Sequence, residues 1–125
     1  MNMKILVVDD EKDIRVLFEQ RFRKEIRNGE IEFAFAHSGE EALGYLSNNH
    51  QEAVLILSDI NMPGMSGLEL LGNIKQKYNA PPPVVMMITA YGDTENYNTA
   101  MKLGADDFIT KPVDFTELKE KIKTL

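Results

Sequence analysis

The 125-residue chain contains no cysteine, so a disulfide framework, a thiolate metal site and a cysteine nucleophile are all excluded. Positive charge is also scarce. Fourteen Lys and Arg stand against twenty Asp and Glu, a net charge of -6. Affinity for phosphate backbones comes mainly from basic side chains, so direct nucleic-acid binding is not expected. Long apolar runs are missing as well. The first, Ile5-Leu6-Val7-Val8, is cut by two acids and is too short for a signal-peptide core or a membrane span. The chain is therefore expected to be soluble and cytoplasmic, with no membrane partner. No repeat, low-complexity tract or linker interrupts it, and 43% hydrophobic content suffices for one core, so residues 1–125 are expected to form a single domain.

What is present is regular punctuation. Ser or Asp followed three residues later by Glu marks a helix start. Three such boxes occur: Ser38 with Glu41, Ser66 with Glu69, and Asp114 with Glu117. Ahead of them, Ile14, Leu17, Phe18, Phe22 and Ile26 recur at helical spacing and predict one continuous helix from about Lys12 to Arg27, closed by Asn28-Gly29. A further helix is predicted from Thr94 to Leu103, stopped by Gly104, with weak formers at Thr94, Asn96, Asn98 and Thr99. Short apolar runs between the helices read as strands over Lys4–Val8, Glu32–Ala36, Val54–Ser58, Val84–Ile88 and Asp107–Thr110. Pro81-Pro82-Pro83 reads as a stiff entry to the fourth strand. Strict strand–helix alternation, five times over, implies an α/β fold with a parallel sheet covered on both faces.

In such a sheet ligands bind beyond the carboxyl ends of the strands. The first strand ends in Asp9-Asp10, the third in Asp59, the fourth in Thr89 and the fifth in Lys111-Pro112; the second end offers no obvious chemical group. If the acids converge at ~5 Å with an effective dielectric of about 20, each like-charge pair costs roughly 3 kcal/mol, which demands a proton or a cation. Three acids and one amine leave a formal charge of -2, and hard oxygen ligands favour Mg²⁺. An aspartate beside Mg²⁺ can attack phosphorus while a hydroxyl and an ammonium steady the phosphoryl oxygens. Each residue taken alone has an ordinary structural use. Asp10 could cap a helix, Asp59 could shape the turn before Pro63-Gly64, Thr89 could end a strand and Lys111 could be a surface charge. Such uses do not explain matched groups at four strand ends. His37 and His50 read as surface or loop residues, and the methionines as core filler.

The acid pair, the segment Ser58-Asp59-Ile60-Asn61-Met62-Pro63-Gly64-Met65-Ser66-Gly67, Thr89-Ala90 and Lys111-Pro112 together resemble the receiver domain of a two-component response regulator. The resemblance runs from about Lys4 to the last residue. It implies a flavodoxin-like (βα)5 doubly wound fold with strand order 2-1-3-4-5. It also implies that Asp59 is the phosphoacceptor, Asp10 a direct Mg²⁺ ligand, Asp9 a ligand through water and the Asn61 backbone carbonyl a third metal contact. Lys111 would pair with the phosphoryl group, Thr89 would hydrogen-bond it, and Phe108 would hold the aromatic switch position. The Lys111-Pro112 bond would be cis, and Asn61 and Tyr91 would tune access of water to the phosphoryl group. The implied protein is a phosphorylated signalling switch rather than an enzyme with turnover. A histidine kinase or phosphotransfer protein would load it, and the face of the fourth helix, fifth strand and fifth helix would control a partner protein or a fused effector. A homodimer on phosphorylation is compatible with this scheme. The last residues read as the natural end of the fifth helix, which suits either a stand-alone receiver or one cut from a longer regulator.

Two other classes share parts of the pattern. A Mg²⁺-dependent phosphatase of the haloacid dehalogenase type also uses Asp, Thr and Lys, but its general acid stands two residues after the nucleophile, where this chain has Asn61. There is also no room for a substrate-covering cap domain. A flavodoxin-like FMN carrier needs a phosphate-cradling loop after the first strand, and Asp9-Asp10-Glu11 would repel phosphate there.

Overall fold

The computed structural model describes residues 3–49, 55–78, 83–90 and 92–125. The elements alternate as β1 (Met3–Val8), α1 (Asp13–Arg21), α2 (Arg23–Arg27), β2 (Ile31–Ala36), α3 (Gly39–Asn49), β3 (Leu55–Asp59), α4 (Gly67–Lys77), β4 (Val84–Thr89), α5 (Thr94–Lys102), β5 (Asp107–Thr110) and α6 (Phe115–Lys123). The five strands form one parallel sheet in the order β2-β1-β3-β4-β5, the flavodoxin-like arrangement expected. Helices α3, α4 and α5 cover one face and α1 and α6 the other, each set over its own apolar cluster. Side chains alternate between these clusters with the period of two that a strand imposes: Leu6 and Val8 join the first, Ile5 and Val7 the second.

Capping sets the helix starts. Ser66 and Glu69 form the reciprocal box at α4, Ser38 Oγ accepts from Glu41 N–H, and Asp114 accepts from Thr116 and Glu117 N–H. The helix from Thr94 forms as predicted, capped by Asp93 and ended at Gly104, whose φ of 98° lies in the left-handed region that glycine tolerates.

One expectation is corrected. The predicted helix over 12–27 is two helices, broken at Phe22, whose φ of -107° and ψ of 20° leave the helical range. Backbone hydrogen bonds still run through the break, from Phe22 N–H to Phe18 O and from Ile26 N–H to Phe22 O. Phe22 is fully buried, stacked on Phe18 and edge-on to Phe33 and Phe115. Seating that ring against the β2 and α6 aromatics turns the chain locally, and Ile26 beyond it is left 38% exposed. Among the described residues five strand–helix units therefore carry six helices, and the predicted fourth and fifth helices are α5 and α6. Val54, His50, Pro81 and Pro82 lie outside the described residues. Met62, Met86 and Met87 fill the core, whereas Met101 is exposed.

Candidate functional site

Register brings the strand-end groups together. Val8 pairs with Ser58 across β1 and β3, so Asp9 and Asp59, each one residue on, emerge side by side. Past the ladders the ends remain laced: Asp9 N–H donates to Ala36 O, Ile60 N–H to Ile88 O and Lys111 N–H to Thr89 O. Alternation also sorts the groups by face. Asp9, Asp59 and Lys111 continue the set of Val7, Leu57 and Ile109, on the α1–α6 side. Thr89 and Phe108 fall on the other face, in register as diagonal neighbours of β4 and β5, since Met87 pairs with Phe108 and Thr89 with Thr110.

The site itself is an acid cluster answered by one lysine. Carboxylate oxygens of Asp9, Asp10 and Asp59 lie within 4.8 Å of one another, and Lys111 Nζ donates to Asp59 Oδ2 at 2.9 Å. Asp9 and Asp59 are each only 4% exposed, while Asp10 faces solvent. Burial pushes the Asp9 carboxyl above its ordinary range, Glu11 N–H on its Oδ1 opposes this, and the charge of Asp59 adds to it. Burial would pull the Lys111 ammonium down, but the hydrogen bond and charge of Asp59, together with Asp9 and Glu11, outweigh it and hold the ammonium above its ordinary value. Ligand oxygens around a six-coordinate ion with bonds of about 2.1 Å lie roughly 3 to 4 Å apart, so this donor set fits a small divalent cation after slight side-chain adjustment.

The acceptor loop is held by close packing. Gly67 N–H donates to Ile60 O at 2.7 Å, and a Cβ on Gly67 would stand 2.0 Å from Asp59 O and 2.7 Å from Ile60 Cα. Only glycine permits that approach. Ser58 Oγ donates to Asp59 O at 3.0 Å, so the peptide after Asp59 is fixed on both sides.

The remaining predicted residues are placed as follows. Asn61 is exposed, two residues after Asp59. Thr89 is buried, its Oγ1 donating to Ala90 O at 3.1 Å. Phe108 is half-buried, with its ring centroid 4.4 Å from that of Tyr97 on α5. The other five phenylalanines lie on the opposite face, so Phe108 stands apart from them. The Lys111–Pro112 bond is cis. Tyr91 lies outside the described residues. His37 lies in the loop after β2, as expected, but it is half-buried and its Nδ1 lies 3.1 Å from Asp9 O, so the second strand end, which offers no obvious chemical group in the sequence, does contribute one. Its partner is a backbone atom, which no sequence motif displays.

Residues 5–123 match the family model described as the response regulator receiver domain. The chain belongs to that receiver family. It is 34% identical over 123 residues to the response regulator RppA of Synechocystis sp., covering 98% of this chain and 50% of that protein. With the response regulator protein PilR of Pseudomonas aeruginosa it shares 40% identity over 124 residues, covering 97% of this chain and 25% of that one. The receiver thus spans about half and a quarter of these two relatives' lengths. Among solved structures, a response regulator receiver domain from Clostridium thermocellum superposes with a TM-score of 0.85 at 30% identity, covering 98% of this chain and 92% of that one. The receiver domain of Ssk1 from Saccharomyces cerevisiae, solved with the histidine phosphotransfer protein Ypd1, gives 0.84 at 25% identity, with coverage of 98% and 87%. This membership places the receiver in two-component signalling, as a switch, and does not favour the haloacid dehalogenase alternative. Among the described residues no helix is long and apolar enough to cross a membrane.

Proposed function

We propose that residues 1–125 act as one receiver unit in which Asp59 accepts a phosphoryl group from a histidine kinase, a phosphotransfer protein or a small phosphodonor. The observation that carries this reading is the bond from Lys111 to a buried Asp59 inside a cluster of three acids. A carboxylate oxygen of Asp59 forms the new bond to phosphorus as the donor's P–N or P–O bond breaks, and the departing group takes up a proton. Lys111, already on Asp59, follows the phosphoryl oxygens and balances their charge. Asp10, Asp59 and the Asn61 carbonyl, with Asp9 through water, would hold Mg²⁺, which would supply charge neutralisation for the acids and the incoming phosphoryl group. Asn61 and Tyr91 tune how readily water reaches the product.

The signal leaves through Thr89 and Phe108. Thr89 Oγ1 exchanges its bond to Ala90 O for the phosphoryl group, and Phe108 moves into the space released on their shared face. Tyr97 rides on the Phe108 ring, so the surface of α5, β5 and α6 changes for a partner protein, a fused effector or a second copy.

The test is intact mass after incubation with acetyl phosphate and Mg²⁺. Wild type is expected to gain one phosphoryl group and the Asp59→Asn variant none. An unmodified wild type, or equal labelling of both, would overturn the reading.

A further inference from the structure

The carbonyl of Asp9 can only accept a hydrogen bond, so the His37 nitrogen facing it at 3.1 Å carries a proton. The backbone explains why a side-chain N–H is needed there. In a parallel ladder a residue donates to one residue of the neighbouring strand and accepts from the residue two further on. Asp9 N–H donates to Ala36 O at 3.0 Å, so the next ladder bond would bring Ser38 N–H to Asp9 O. At Ser38 the chain instead turns into α3, with its Oγ accepting from Glu41 N–H at 3.0 Å. The His37 Nδ1–H takes the position the ladder gives up.

Three restraints therefore act on Asp9: its N–H on Ala36, its carboxylate on Glu11 N–H at 2.9 Å and its carbonyl on His37. The carbonyl shares a rigid plane with the Asp10 N–H. Fixing it fixes the plane from which the exposed Asp10 side chain leaves the strand. We propose that His37 is a positioning residue of the acidic site, orienting the Asp9–Asp10 peptide so that both carboxylates converge with Asp59 on a divalent cation. The proposal rests on the Mg²⁺ reading given above. The role needs an N–H at the Nδ1 position and nothing from Nε2.

That requirement separates two variants. Asparagine places its side-chain N–H close to where Nδ1 stands, whereas leucine keeps bulk without a donor. In calorimetric titration of the full chain with MgCl₂, His37→Leu is expected to bind about tenfold more weakly than wild type and His37→Asn within about twofold of it. Melting in chelator reports the fold alone, and the two variants are expected to coincide there. Equal Mg²⁺ affinity of His37→Leu and wild type would overturn the proposal, as would equal weakening of both variants. If wild type itself shows no Mg²⁺ binding, the metal reading fails and this inference with it, an outcome distinct from wild type binding while His37→Leu binds equally well. Nitrogen-15 spectra of wild-type His37 give an independent check should His37→Leu not fold. Protonated Nδ1 supports the bond, and a bare Nδ1 with the proton on Nε2 overturns it.

Discussion

Two acid–lysine pairs stand at opposite edges of the same sheet, and their geometry is nearly identical. At the amino edge, Lys75 Nζ lies 2.8 Å from Asp106 Oδ2; at the carboxyl edge, Lys111 Nζ lies 2.9 Å from Asp59 Oδ2. Their surroundings differ. Asp106 Oδ2 also accepts from Val85 N–H at 2.8 Å, and Lys75 also donates to Pro83 O at 2.9 Å, so helix α4 is pinned to the β4 start with donors and acceptors matched. Asp59 instead stands beside Asp9 and Asp10, the carboxylate oxygens of all three crowding within 4.8 Å, with Lys111 bonded to Asp59. One pair is closed and the other is short of positive charge. The bond length does not distinguish a clamp from a reactive site; the surplus of like charge does.

The two pairs are expected to differ most in what they contribute to stability. Asp106→Ala strips Val85 N–H, buried at the β4 start, of its acceptor. It is expected to lower unfolding free energy by about 2 kcal/mol, read from urea denaturation. Asp59→Asn removes one charge from a repelling group and frees a partly exposed lysine. Its expected effect in chelator is within about 0.5 kcal/mol of wild type, or a gain approaching 1 kcal/mol. If Asp59→Asn proves as damaging as Asp106→Ala, then Asp59 is a structural clamp like its counterpart and the surplus-charge argument is wrong.

The two edges were also unequally legible in the sequence. Strand-end acids could be placed because buried parallel strands read as continuous apolar runs, and whatever polar group follows must emerge at the rim. Asp59 and Lys111, 52 residues apart, could therefore be set at one rim from pattern, while the strand order that brings them together came from the family resemblance. The break at Phe22 could not, because Ile14, Leu17, Phe18, Phe22 and Ile26 keep helical spacing straight through it. What bends the chain there is the seat of one ring against Phe33 and Phe115, a tertiary fact. His37 escaped for another reason. Its partner is a carbonyl 28 residues away, and every residue has a carbonyl. The clamp at Asp106 was equally silent, since two of its three bonds are to backbone.

Metal binding is expected to act on one edge only. If Mg²⁺ relieves the surplus at Asp9, Asp10 and Asp59, ten times its dissociation constant stabilises the fold by about 1.4 kcal/mol. Asp106→Asn is expected to keep that rise in melting temperature and Asp10→Ala to lose it. A rise that survives Asp10→Ala would move the cation away from the cluster.

The smallest effect belongs to a second ion pair at the amino edge, where Lys119 Nζ meets Glu25 Oε2 at 3.1 Å and joins α6 to α2, while Glu25 Oε1 is buried with no hydrogen-bond partner among the described residues. Burial would raise the Glu25 carboxyl, yet its backbone hydrogen bond and the Lys119 ammonium overcome this and hold it below the ordinary 4.5. A carboxyl depressed by folding contributes stability that is complete above its unfolded value and is lost as the pH falls through the folded one. Glu25→Gln is therefore expected to cost roughly 0.5 to 1 kcal/mol at pH 7, with the difference from wild type closing as the pH drops below 4.5. Urea denaturation at pH 7 and pH 3 measures both ends of that range. A gap that persists at pH 3 would mean that Glu25 acts by packing rather than by charge, and that this pair at the amino edge owes less to electrostatics than the pair at Asp59 does.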